Sequence, residues 1–242
     1  MNYPKKIDIA LEKIQETTST NDYLAQLCKE GKAKEFYTVM AESQTHGKGQ
    51  RGNTWEAESG KNLLLSIVLY PTALEAKKQF IISMLAALSC HEALGNYTDG
   101  FTIKWPNDIY WQDKKIGGIL IENELEGKYI TQSIIGIGLN VNQEIFHSDA
   151  PNPVSLKQII GAEFDIQELM MKVVHGIIGG YRQLEANFEF TQQAIGTLYR
   201  KHLYRHKGFY PYRDAQGDFL AEYQEVEPDG HLILKDEEGT FR

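Results

Sequence analysis

Residues 100–125 read Gly-Phe-Thr-Ile-Lys-Trp-Pro-Asn-Asp-Ile-Tyr-Trp-Gln-Asp-Lys-Lys-Ile-Gly-Gly-Ile-Leu-Ile-Glu-Asn-Glu-Leu. Three strand-like pieces, 100–105, 108–112 and 115–125, follow one another closely. Pro106 interrupts the first, because proline has no N–H to give to a ladder, and Gln112-Asp113-Lys114 reads as a turn. A further apolar strand at 128–141 follows the turn Glu126-Gly127-Lys128. Upstream, residues 36–42 read as a strand, and Asn62 to Tyr70 is an apolar run between turn signals that suits a strand buried on both faces. Residues 20–30 have helical periodicity, with Leu24, Leu27 and Cys28 on one face. Residues 75–95 place Ile81, Met84, Leu85 and Leu88 on one helical face. Closely spaced strands accompanied by helices predict an α+β fold with a mixed, mostly antiparallel sheet.

Downstream, Asp149–Pro153 reads as a loop, and Asp165 with Glu168 as a capping-box-like helix start. Leu169, Val173 and Ile177 mark one face of that helix, which Gly179-Gly180 is expected to bend or interrupt. Another helix is expected near 191–203. From Lys207 the chain becomes short alternating segments, with turns at Asp214–Gly217 and Pro228–Gly230, which reads as a small β module. The predicted division is 1–203 and 204–242.

The 242 residues are 42% hydrophobic, enough for one large domain or one domain plus a small one, and the net charge of −8 argues against a general nucleic-acid binder. The two cysteines, Cys28 and Cys90, are too far apart for a metal motif or a disulfide framework and read as buried free thiols. The seven histidines show no ligand spacing, and His46 reads as incidental. The N-terminus lacks the apolar core of a signal peptide, and the apolar stretch near 81–90 is too short to span a bilayer, so a cytoplasmic protein is expected.

Against that acidic background, residues 44–55 read Gln-Thr-His-Gly-Lys-Gly-Gln-Arg-Gly-Asn-Thr-Trp. Glycines bring backbone N–H groups close to a ligand, Lys48 and Arg51 bring charge, and Trp55 offers a flat apolar face. A phosphate-bearing anion suits such a loop, although it matches neither the Walker pattern nor the dinucleotide fingerprint. A solvated hairpin is the plain alternative. Ser19-Thr20-Asn21 precedes a helix, where capping is the ordinary use of such residues; three adjacent polar side chains can also read a small polar molecule. Lys104 and Asp108 flank a strand break beside Trp105, either as an ordinary ion pair or as phosphate and Mg²⁺ ligands, the latter with Asn107. Lys115-Ile116-Gly117-Gly118 opens a strand with two glycines, which marks a bulge or a ligand's close approach. Gly136 and Gly138 share one face and leave a flat floor, with Asn140 bordering it. No Ser-His-Asp, Cys-His or paired-carboxylate arrangement is apparent, which favours chemistry that positions two anions over chemistry with a protein nucleophile.

In their order and spacing these segments resemble the biotin protein ligase family: Ser19-Thr20-Asn21, Gln44 through Trp55, Lys104 through Asp108, Lys115 through Glu122, Gly136 through Asn142, and Asn152-Pro153-Val154-Ser155-Leu156. The resemblance covers roughly residues 15–200. It implies a catalytic domain related to class II aminoacyl-tRNA synthetases, followed by a small SH3-like barrel. It implies that biotin and ATP give biotinyl-5′-adenylate and pyrophosphate, with biotin then passed to a lysine of a biotin carboxyl carrier domain. The implied catalytic residues are Lys115, Lys48, Arg51 and Lys104. The implied biotin site comprises Ser19, Thr20, Asn21, Gln44, Gly47, Gly117, Gly118 and Gly138. The adenylate would meet Lys48, Gly49, Gln50, Arg51, Trp55, Asn107, Lys115 and Asn140, with Asp108 on Mg²⁺.

The chain departs from the family pattern at Gln50 and Asn53, where arginine is common. It starts too close to Ser19 for the DNA-binding domain of repressor-type members, so no DNA partner is expected, and no membrane partner either. It ends at Gly239-Thr240-Phe241-Arg242, one apolar strand short of the expected barrel. A monomer and a homodimer are both compatible with the sequence. A lipoate ligase, which shares the core architecture, is the nearest rival reading, and a non-catalytic biotin binder the next.

Overall fold

A computed structural model describes residues 9–148 and 151–242. The apolar run becomes β3 (Asn62–Leu69), and every residue in it is buried. Around it lie β1 (Leu11–Thr17), β2 (Thr38–Gln44), β4 (Phe101–Lys104), β5 (Asp108–Trp111), β6 (Lys114–Glu126) and β7 (Tyr129–Asn140). They form one seven-stranded sheet in the order β1-β2-β3-β7-β6-β5-β4. Every neighbouring pair is antiparallel except β1 and β2. A parallel pair needs a crossover, and α1 (Thr20–Lys29) lies between those two strands in the chain. The sheet is mixed and mostly antiparallel, as the spacing predicts.

The period-two alternation of β3 explains the layers. Leu63, Leu65, Ile67 and Leu69 join the main core with α2 (Phe80–Gly95), α4 (Ile166–Ala186) and α5 (Phe188–His202). Each such buried aliphatic side chain contributes roughly 1.5–3 kcal/mol. Leu64, Ser66 and Val68 face the other way. Val68 packs on Leu24 of α1 in a second, smaller cluster. The opposite face therefore carries one helix, the 44–55 loop and the site.

Helix α2 differs from expectation. Ile81, Met84 and Leu85 are buried, but so are Ile82, Ala86, Ala87 and Cys90, because α2 contacts the sheet as well as α4 and α5. Helix α4 also differs. It runs unbroken through Gly179-Gly180, since a Cβ on Gly180 would collide with Leu85 and one on Gly176 would lie 3.0 Å from Ser89. Glycine on this face lets two helices approach; it does not bend one. Asp165 caps α4 by accepting from Gln167 and Glu168 N–H groups, while the Glu168 carboxylate turns to Lys172 at 2.8 Å. The complete capping box sits instead at Ser155 and Gln158, heading α3 (Leu156–Ile160).

Of the predicted loop at Asp149–Pro153, residues 149 and 150 lie outside the described residues. Beyond α5, β8 (Tyr210–Asp214), β9 (Gly217–Val226) and β10 (Leu232–Asp236) form a second, antiparallel sheet in the order β10-β9-β8. The resemblance implies a small SH3-like barrel here, which the sequence leaves one apolar strand short. Among the described residues the sheet has three strands and is open, with Phe241 and Arg242 returning along β10. No helix among the described residues is long and apolar enough to cross a membrane.

Candidate active site

A trench of about 270 Å³ opens on the glycine-bearing face of the sheet, over β3, β6 and β7. Its floor is a register effect. Gly138 pairs with Leu64 of β3 on one side and Gly118 of β6 on the other, and Gly136 pairs with Ser66. These positions share one face, so missing side chains and a hydroxyl line up beneath the trench.

One end of the trench is a buried polar network. Ser19, Thr20, Asn21 and Ser66 are each less than a twentieth exposed. Ser19 stands at the N-cap of α1 but makes no side-chain cap bond, so the ordinary capping use is not taken up. Gln44 Oε1, at the end of β2, accepts from the Thr20 N–H at 2.7 Å and from the Thr20 hydroxyl at 3.0 Å. That leaves the Gln44 NH₂ group free of this pair. Ser66 Oγ lies 2.7 Å from Thr20 Oγ1 and 2.6 Å from Asn21 Oδ1, and its single proton serves one of them at a time. Asn21 Nδ2 donates to Glu122 Oε2 at 2.7 Å. A Cβ on Gly136 would collide with the Asn21 carboxamide. Polar groups this deeply buried specify geometry because an unpaired one is costly. Ser66 was not among the sequence candidates, although a lone hydroxyl within an apolar strand is a signal for it.

The middle of the trench is cationic. The 44–55 loop folds as a closed hairpin, with Trp55 N–H donating to Gly47 O at 2.8 Å and Gly49 N–H to Asn53 O at 2.7 Å. Arg51, at its tip, has φ 54°, a left-handed conformation uncommon for a non-glycine residue. Lys48 Nζ pairs with Asp22 Oδ1 at 2.5 Å, and that hydrogen bond holds the ammonium above its ordinary pKa. Lys115 Nζ pairs with Asp108 Oδ1 at 2.7 Å and lies 5.6 Å from the centroid of the Trp55 ring. Arg51 makes no ion pair among the described residues. The Trp55 indole rests on the floor: a Cβ on Gly138 would lie 2.6–2.9 Å from its ring atoms, and one on Gly118 would lie 3.2 Å away. Its Nε1 is buried without a partner among the described residues.

Asn107 and Asp108 close the trench on the β5 side. Asn107 Nδ2 donates to Ile119 O at 2.8 Å, and the Ile119 N–H returns a bond to Asn107 O at 2.9 Å. The Asn107 side-chain oxygen is left for other donors or a cation. Among the described residues, the one group with three closely spaced ligand atoms of metal-binding type is the exposed Glu227, Asp229 and His231, outside this trench. The Cys90 thiol, pushed up to about 12 by burial, is no nucleophile, and Cys28 is only half-buried.

The trench thus gathers Ser19, Thr20, Asn21, Gln44, Lys48, Gly49, Gln50, Arg51, Trp55, Asn107, Asp108, Lys115, Gly118 and Gly138. Four sequence candidates are not brought to its lining. Lys104 Nζ turns to the Tyr110 hydroxyl at 2.9 Å and lies 4.6 Å from that ring's centroid. Gly117 faces the core, where a Cβ would collide with Leu139. Gly47 lies in the stem of the hairpin, where a Cβ would collide with the Trp55 backbone oxygen at 2.5 Å. Asn140 is buried and donates to Val154 O at 3.2 Å.

A sheet with helices on one face and a polar, cationic trench on the other is a fold shared with solved proteins. The biotin protein ligase from Aquifex aeolicus in complex with biotin and ATP aligns with a TM-score of 0.79 at 25% identity, over 96% of this chain and 94% of that one. The model of the biotin/lipoate A/B protein ligase family matches residues 13–140, and the chain belongs to that family. It is 29% identical over 242 residues to the bifunctional ligase/repressor BirA of Bacillus spizizenii, covering 93% of this chain and 69% of that protein. It is 33% identical over 141 residues to the biotin–[acetyl-CoA-carboxylase] ligase of Paracoccus denitrificans, covering 54% of this chain and 57% of that protein.

Proposed function

We propose that this protein is an ATP-dependent biotin protein ligase, which activates biotin as biotinyl-5′-AMP and transfers it to a lysine of a biotin carboxyl carrier domain. The observation that carries the reading is the junction, in one trench, of Ser19, Thr20, Asn21 and Gln44, backed by the buried Ser66 hydroxyl, with Lys48 and Lys115. A ureido ring needs both donors and acceptors in a dry place, and the Gln44 amide, Thr20 and Asn21 supply both. Lipoate has no ureido group and would leave those groups facing an apolar ligand, which is costly.

The chemistry follows from charge. A carboxylate oxygen of biotin attacks the α-phosphorus of ATP; the bond from that phosphorus to the bridging oxygen breaks and pyrophosphate leaves. Both reactants are anions, so the site must hold them together against repulsion. Lys48, Arg51 and Lys115 would neutralise the pair, with loop N–H groups adding donors. Trp55 would border the adenylate. In the second step a carrier lysine amine attacks the acyl carbon, AMP leaves, and the amine loses a proton. The attacking nucleophile belongs to the partner, which agrees with a trench lined by cations and amides. The donor set of Asp108 carboxylate and Asn107 amide oxygen fits Mg²⁺ held mainly through phosphates; the ion would supply further neutralisation of phosphate charge.

Pyrophosphate exchange into ATP tests the reading. Exchange that depends on biotin supports it; exchange that depends on lipoate alone moves the protein to the sister activity; none with either leaves a binder.

A further inference from the structure

A second cavity, of about 250 Å³, continues the trench beyond Asn107, and the two share Gln50, Arg51, Trp105, Pro106, Asn107 and Ile119. Its far wall does not come from the catalytic sheet. Asp229 and Gly230, in the turn between β9 and β10, supply it. This turn is bonded to the catalytic domain at two points. The Trp105 indole N–H donates to Gly230 O at 3.0 Å, and the Phe80 N–H, at the first residue of α2, donates to Pro228 O at 3.2 Å. Gly230 has φ +103°, and a Cβ there would lie 2.8 Å from the Phe80 ring. Both the backbone conformation and the close approach require glycine.

Trp105 begins the turn that delivers Asn107 and Asp108 to the trench. Asn107 is locked to Ile119 by two bonds, and Asp108 holds Lys115. The path from Gly230 therefore runs through the Trp105 hydrogen bond, along the backbone through Pro106 to Asn107 and Asp108, and across the ion pair to Lys115. Among the described residues the Thr20, Asn21, Gln44 and Ser66 network shares no side-chain hydrogen bond with Trp105, Asn107, Asp108 or Lys115, and meets their neighbourhood only where Asn21 Nδ2 donates to Leu120 O at 3.3 Å.

We propose that the Pro228–Gly230 turn belongs to the machinery of the activation step, with Trp105 and Gly230 as positioning residues that set Asn107 and Asp108 against Lys115. This rests on the ligase reading above. The second sheet is then a working part of the first half-reaction, independent of any carrier protein. The consequence is a split: loosening the Trp105–Gly230 bond slows adenylation and leaves biotin binding intact.

The test uses the full chain with Trp105→Phe, which keeps the apolar ring and removes the N–H, and Gly230→Ala. Pyrophosphate exchange gives kcat and the KM for ATP; calorimetry gives the Kd for biotin. Since small misplacements of positioned groups are expensive, kcat is expected to fall by about tenfold or more in both variants, with biotin Kd held within about twofold. Exchange by Trp105→Phe at the parent rate overturns the inference. So does a parallel loss of biotin binding and exchange, which a merely structural bond would give. Trp105→Phe decides the matter if Gly230→Ala does not fold. No exchange in the unaltered chain overturns the ligase reading, and this inference with it.

Discussion

Lys48 of the glycine loop, which lines the trench, and Asp22 in the first turn of α1 form an ion pair 2.5 Å long. The pair ties the loop to the helix that begins at Thr20. An anionic ligand drawing on Lys48 must compete with Asp22. Asp22→Asn keeps the shape and removes the competitor. The expected result is a KM for ATP about threefold lower in pyrophosphate exchange. Both side chains are two-fifths or more exposed, so stability changes by under about 1 kcal/mol. An unchanged KM would mean that Lys48 does not leave Asp22 during the reaction.

Lys115 is the more enclosed of the two lysines, with side-chain exposure of 26% against 42% for Lys48. Charge works harder where water is scarce. Lys115→Ala is expected to lower the exchange rate on the order of 100- to 1000-fold. Near-normal adenylation by that variant would refute its assigned role.

Ser66 Oγ is fully buried and stands within hydrogen-bond distance of both Thr20 and Asn21. Ser66→Ala should weaken biotin binding about tenfold and cost about 1–2 kcal/mol of stability. Calorimetric titration and a denaturation curve read the two effects. Unaltered biotin affinity would dissociate Ser66 from the biotin end of the trench.

His91 on α2 and His202 on α5 stack with ring centroids 4.1 Å apart. Burial pushes both below the ordinary histidine value; His202 adds to the effect at His91, and Lys201 to that at His202. The unfolded chain therefore binds more protons than the folded one between the folded values and about 6.5, and stability rises with pH through that window. Cooling of Tm is expected as pH falls from about 7.5 to about 5, with a shallower slope in the His91→Phe, His202→Phe double variant. Equal slopes in parent and variant would exclude the pair as the cause.

The strands were legible because apolar runs separated by proline, glycine and charged turns have few other uses. The trench was legible where charge, amides and glycine coincide in an acidic chain. What escaped was direction. Gly117 and Gly118 are neighbours on one strand and must face opposite ways, so only Gly118 reaches the trench. Lys104 had Tyr110 two strand positions beyond Asp108 to bond with, which no local pattern announces. Gly179-Gly180 carried the composition of a break, yet tertiary packing against Leu85 gave it another use. The contact of Gly230 with Trp105 spans most of the chain's second half and has no local signature.

The Trp55 indole already lies on Gly138 and Gly118, with its Nε1 lacking a partner among the described residues. A ring that settles on that floor arrives at a surface that is already dry. Entry is then an exchange of one flat group for another, and the apolar area hidden from water changes little. Binding at this floor should carry a small heat-capacity change for the size of the ligand. Selectivity between ligands would then rest on the hydrogen bonds each one makes with the polar groups around that floor.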